Sequence, residues 1–167
     1  ERRPVRSAFI VSFVANLVLA IVSTQVLPER VAIHFGAGGA ANGWGSTTAN
    51  ALLMAGVDLL LFCSIYFSPW LIERIPARWI SLPNRDYWLI PENKERAVEI
   101  IREMRWQFGT ALFLFLFFTG LLTISANLSQ PVRLNEGLFL SGLIIFLVYT
   151  GYWMLALLRA FRIPARR

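Results

Sequence analysis

One cysteine and one histidine are all that the 167 residues offer of the softer metal ligands. Cys63 sits alone inside an apolar run. That excludes an internal disulfide and any cysteine-cluster metal site, and it leaves the redox compartment unreadable from thiols. The long apolar runs contain no histidine at all, which removes the common ligand of haem and chlorophyll. Charge is also scarce: 16% of residues are Asp, Glu, Lys or Arg, against 56% apolar. A soluble domain carries roughly 45–50% apolar residues, so lipid is the solvent this composition fits. No nucleophile–base pair, metal cluster or cofactor loop stands out, and an enzyme is not expected. No cofactor is predicted either; the Phe-rich third span suits contact with bound lipid, with a pigment or with another membrane protein.

What is present is a succession of uncharged runs. Ser7–Leu27 holds about 21 residues without a formal charge, enough at ~1.5 Å per residue to cross a hydrocarbon core of about 30 Å. The run is too long for a signal-peptide core, and Val22–Leu27 makes a poor cleavage site, so an uncleaved signal-anchor helix is expected. The chain does not begin with Met, and a few residues are expected before Glu1. Pro28 ends the first helix. Further spans are predicted at about 50–71, 108–128 and 138–158, giving one membrane domain over residues 1–167. An ordered outer loop at 28–49 and a cytoplasmic segment at 72–107 lie between them. The predicted fold class is therefore all-α, an integral membrane protein of four transmembrane helices.

The net charge of +6 is a topology signal before it is anything else. Fourteen of the sixteen Lys and Arg residues lie before the first run, between the second and third, or after the fourth; only Arg30 and Arg133 lie on the other side. By the positive-inside rule both termini and the middle segment face the cytoplasm. Anionic lipid heads suit the same residues. No motif that reads DNA or RNA accompanies them, so nucleic acid is not expected as a partner. In the middle segment, Ala97, Ile100, Ile101, Met104 and Phe108 recur at spacings of three and four. Pro91 and Glu92 suit a helix start. One long helix is predicted from about Pro91 into the third span.

Two stretches carry a family resemblance. Leu27-Pro28-Glu29-Arg30-Val31, then His34-Phe35 and Gly43-Trp44, resembles the signature of the domain of unknown function 1648 family. Ile80-Ser81-Leu82-Pro83-Asn84-Arg85-Asp86-Tyr87-Trp88-Leu89 is similar to a stretch of its longer members. The resemblance implies a bacterial membrane protein. The family includes an immunity protein of sporulating bacilli that also holds a repressor at the membrane. That protein has more spans than the four expected here, so the resemblance bears mainly on the first half of the chain.

Candidate sites fall in three places. In the outer loop, Glu29, His34, Asn42 and Trp44 are candidates for binding a ligand or partner. One His and one acid are too few for a metal site of three or four ligands, so a hydrogen bond that folds the loop is the plainer reading of His34. The five glycines from Gly36 to Gly45 fail the phosphate-loop spacing, and they suit tight turns instead. Trp44 suits an anchor at the outer interface. Within the spans, Asn16 and Asp58 are the notable polar residues. A carboxylate there costs about 2.5–3.5 kcal/mol on insertion scales. Read about two turns from the outer end of its helix, Asp58 is expected to bond Asn16, Ser12 or Thr24, to reach the interface or to be protonated, with the hydrogen bond the favoured reading and proton or ion movement the alternative. At the cytoplasmic interface, Asn84, Arg85, Asp86, Tyr87 and Trp88 mix aromatic and charged side chains. Ala51, Ala55, Gly56, Ser141, Gly142 and Gly151 mark faces where backbones approach closely.

The functional expectation is a non-enzymatic interaction protein of the bacterial plasma membrane, an accessory or structural subunit or an adaptor. It would meet membrane lipids and other membrane protein subunits. A sensor or toxin-immunity protein using the outer loop is the alternative, and a small proton- or ion-coupled transporter using Asp58 is the third reading.

Overall fold

The computed structural model describes residues 2–164, apart from the side chains of Arg2, Arg3, Glu73 and Ala77. Arg166 and Arg167, counted above with the basic tail, lie outside the described residues. Four helices are long and apolar enough to cross a membrane: α1 (Arg2–Val26), α2 (Thr47–Arg74), α4 (Pro91–Leu128) and α5 (Glu136–Ala160). A four-residue helix, α3 (Arg85–Trp88), precedes α4. Several hydroxyl side chains inside the helices are satisfied locally. Ser12, Ser23 and Thr24 each donate to the carbonyl three residues back, at 2.7–2.9 Å, which suits a setting without water to bond them.

The expectation of an all-α chain is corrected at 28–49. That loop holds an antiparallel β-hairpin, β1 (Arg30–Phe35) and β2 (Ala41–Ser46), in which Arg30 lies opposite Ser46 and His34 opposite Gly43. The physical reason is local. Val31, Ile33 and Phe35 are strand formers, whereas the glycines that follow are poor in helices. The 3₁₀ turn Ala37–Gly39 reverses the chain, with Gly38 and Gly39 at φ +74° and +76°. The second span also starts earlier than expected, at Thr47, because the Ser46 hydroxyl caps it by accepting from Ala49 N at 3.1 Å.

The long helix predicted from Pro91 is present as a single element of 38 residues, about 57 Å at 1.5 Å per residue. It is the bundle's spine. α1 packs chiefly on α4 and α2, and α5 packs chiefly on α4. Glycines set these approaches. A Cβ at Gly109 would lie 2.5 Å from Phe9, one at Gly120 2.7 Å from Leu19, and one at Gly142 2.3 Å from Phe118. Between α1, α2 and α4 lies an aromatic core of Phe9, Phe13, Phe62 and Phe113, with ring centroids 4.3–5.6 Å apart. Each such pair adds about 0.5–1.5 kcal/mol beyond its area. Phe108–Trp153 (5.0 Å) and Phe115–Phe146 (4.9 Å) join α4 to α5.

The two ends of the bundle differ. At one end the hairpin tip docks on the turn between α4 and α5. Gly38 N donates to Glu136 Oε1 (3.0 Å), Arg133 Nε to Gly38 O (2.7 Å) and Leu134 N to Gly39 O (2.8 Å). At the other, arginine-rich end, Asn84 Nδ2 and Trp88 Nε1 both donate to Phe161 O, at 2.8 and 3.0 Å. Buried Trp88, Ala97, Ile101 and Phe161 pack around that bond.

Gly39 is the sensitive point of the tip, since a Cβ there would lie 2.1 Å from Leu134 O at a φ that side chains avoid. Gly39→Ala is expected to lift the tip and to raise deuterium uptake over 36–40 and 131–136 together. The left-handed strain alone amounts to about 1–2 kcal/mol, or a Tm lower by about 2–8 °C. Unchanged exchange in both segments would contradict the docked tip.

Candidate functional site

Beneath the hairpin, α1, α2 and α4 do not close completely. They leave a cleft of about 260 Å³. Asn16 of α1, Asn50, Met54 and Asp58 of α2, and Thr119, Gly120 and Thr123 of α4 line it, with Ile33 reaching it from β1. Asn16, Asn50 and Asp58 are only 1%, 7% and 3% exposed. The earlier start of α2 places Asp58 eleven residues from Thr47, about three turns or 16 Å into the helix rather than two turns.

The polar side chains around the cleft are held by the backbone. Asn16 Nδ2 donates to Ser12 O at 2.9 Å and, across to α4, to Phe113 O at 2.8 Å. The Thr119 hydroxyl donates to Leu116 O at 2.9 Å, and the Thr123 hydroxyl to Thr119 O at 3.0 Å. The hydrogen bond expected between Asp58 and Asn16, Ser12 or Thr24 is not formed, since those donors are spent on carbonyls. Among the described residues the Asp58 carboxylate has no hydrogen-bond or ion-pair partner, and no Lys or Arg lines the cleft.

Asn127, one turn beyond Thr123 on α4, is the residue that sequence reasoning missed. Its Oδ1 accepts from Ala32 N (2.6 Å), and its Nδ2 donates to Ala32 O (3.0 Å) and to Thr123 O (3.0 Å). One buried amide thus satisfies both backbone groups of one residue of β1. The available signal was an Asn in the last turn of an otherwise apolar span, a position where a polar side chain needs a partner.

The loop candidates separate. His34 Nδ1 donates to Asn42 Oδ1 at 2.5 Å, joining the two strands of the hairpin. Trp44 is 44% exposed, with the Arg30 guanidinium 5.7 Å from its ring centre. Glu29 is exposed and contributes its carbonyl, which accepts from Thr47 N at 3.0 Å. At the opposite end, Asn84 and Trp88 turn inward to Phe161, Tyr87 is half-buried, and Arg85 and Asp86 form an exposed pair at 3.3 Å. Among the described residues no three His, Cys, Asp or Glu side chains come together as a metal-binding group.

Residues 11–57 match the family model described as Domain of unknown function (DUF1648). The match covers 47 of the 167 residues, from within α1 through the hairpin into the first part of α2, and it ends one residue before Asp58. Comparison with curated proteins and with solved structures gives no match.

Asn127→Leu keeps the size of the side chain and removes both bonds to Ala32. Each buried backbone group left without a partner costs about 1–3 kcal/mol. The expected result is faster hydrogen exchange over Arg30–Phe35, with helical circular dichroism unchanged. Protection of those amides equal to that of the unmodified chain would show that the hairpin is held by other contacts.

Proposed function

We propose that this chain is a non-enzymatic membrane interaction protein, an accessory subunit or adaptor whose partner is another membrane-embedded protein. The observation that carries this reading is the outward face of α5. None of its residues is buried, and a Cβ at Gly151 would meet nothing within 4 Å. Gly56 on α2 is open in the same way. Gly109, Gly120 and Gly142 each meet an internal neighbour, so Gly56 and Gly151 stand out as small residues without one. In lipid, small residues on a helix face let a second backbone approach. Ile145, Val148, Tyr152 and Leu155 beside Gly151 are all more than half exposed, an apolar surface that another span could cover.

In the same reading the protein is a multi-pass component of a bacterial plasma membrane with both termini cytoplasmic. The charge distribution supports it: the hairpin end holds Arg30 and Arg133, and the described arginines of the opposite end include Arg74, Arg78 and Arg85. A sensor or immunity role is the second reading. It is favoured by the cleft under an ordered hairpin, which gives an extracellular molecule a place to bind.

Gentle extraction followed by native mass measurement tests the first reading. The unmodified chain is expected to leave the membrane in a complex of fixed stoichiometry. Gly151→Ile is expected to release it as a folded monomer with unchanged helical content. A monomer in both cases would overturn the subunit reading. For the orientation, single cysteines at position 42 and at position 86 in a Cys63→Ser background are expected to react with an impermeant thiol reagent from the outside and only after lysis, respectively. The reverse pattern would invert the topology.

A further inference from the structure

We propose that the cleft around Asp58 binds a monovalent cation through oxygen ligands. Three observations on different elements lead there. The first is the space itself, about 260 Å³ between three helices, with Asp58 on its wall, a residue only 3% exposed whose carboxylate has no partner among the described residues.

The second is the direction of the surrounding hydrogen bonds. Both Asn16 amide hydrogens and the hydroxyl hydrogens of Thr119 and Thr123 are given to backbone carbonyls. Asn50 Nδ2 donates to the Met54 sulphur at 3.6 Å. The capacity left at the cleft is therefore almost wholly acceptor: the carboxylate, the Asn16 and Asn50 amide oxygens, and the second lone pairs of the two hydroxyls. An anion or a hydrogen-bond acceptor would find only the second Asn50 amide hydrogen to meet it.

The third is charge. A lone buried carboxylate is costly unless it is paired or protonated, and among the described residues no Lys or Arg lines the cleft. One carboxylate with several neutral oxygens matches a single positive charge. Divalent ions of the oxygen-seeking kind usually recruit more carboxylates than one. An alkali-metal ion and the head of a primary ammonium compound share this chemistry. Asn16 and Asn50 fall inside the matched family segment, whereas Asp58, Thr119 and Thr123 lie outside it. The site is thus assembled from both parts of the chain.

The test uses the full chain in lipid nanodiscs. Tm is followed against sodium, potassium and methylammonium chlorides, each matched in ionic strength by N-methyl-D-glucamine chloride. At a hundredfold excess over Kd, a binding cation is expected to raise Tm by about 5–10 °C. Asp58→Asn, which keeps the side chain's shape, is expected to abolish the response. Thr119→Val, which keeps the charge and loses an oxygen, is expected to weaken it about tenfold. Because Asp58→Asn can change the baseline stability, the cation-dependent shift is the quantity read. A response to alkali ions alone assigns a metal ion, and a response to methylammonium alone assigns an ammonium ligand; either supports the site. Equal stabilisation by N-methyl-D-glucamine, no stabilisation by any of the three, or a full response in Asp58→Asn would overturn it.

Discussion

A single amide ties β1 to the end of α4. Asn127 closes both backbone groups of Ala32, and the rest of the hairpin end is arranged around that clamp. A strand beside a membrane span has one edge paired with its hairpin partner and one edge bare. Where water is excluded, a bare edge is not tolerated. An Asn side chain presents one donor group and one acceptor, as a neighbouring strand would, and Asn127 supplies them from the end of α4. With Ala32 fixed, Ile33 reaches the cleft from above and His34 faces Asn42 across the hairpin.

The arginine-rich end follows the same logic with different chemistry. A helix end leaves carbonyls without partners, and at α5 the carbonyl of Phe161 receives two donors, from Asn84 and Trp88. Asn84 reaches it from a left-handed backbone conformation, φ 52°, which Asn tolerates better than most residues. Residues that read as a surface of aromatic and charged groups are in part a plug. Trp88 is buried against Ala97, Ile101 and Phe161, leaving Arg85 and Asp86 to solvent.

Much of the frame was legible beforehand, because lipid makes long apolar runs unambiguous. The four spans and the unbroken helix from Pro91 follow from length, charge and the recurrence of Ala97, Ile101 and Met104. The hairpin was not legible in the same way. Five glycines between Gly36 and Gly45 mask the strand formers Val31, Ile33 and Phe35, and a strand's pairing depends on a residue 95 positions away, as Ala32 does on Asn127. Asp58 reads from the sequence as a polar residue inside a long apolar helix. Its surroundings were hidden, because Thr119 and Thr123 look like ordinary small residues of an apolar helix until α4 is set against α2.

The ties at both ends converge on α5. Glu136 and Arg133, at and just before its start, hold the hairpin tip, and Phe161, just past its end, is gripped by Asn84 and Trp88. Among the described helices, α5 is also the last to leave the ribosome. Chains fold progressively during synthesis, so α1, the hairpin and α2 must wait in the membrane with the tip unfastened until residues 133–136 emerge. α5 therefore works as a latch in two stages: the residues at its start fasten the hairpin tip, and Phe161, just past its end, then fastens the arginine-rich end.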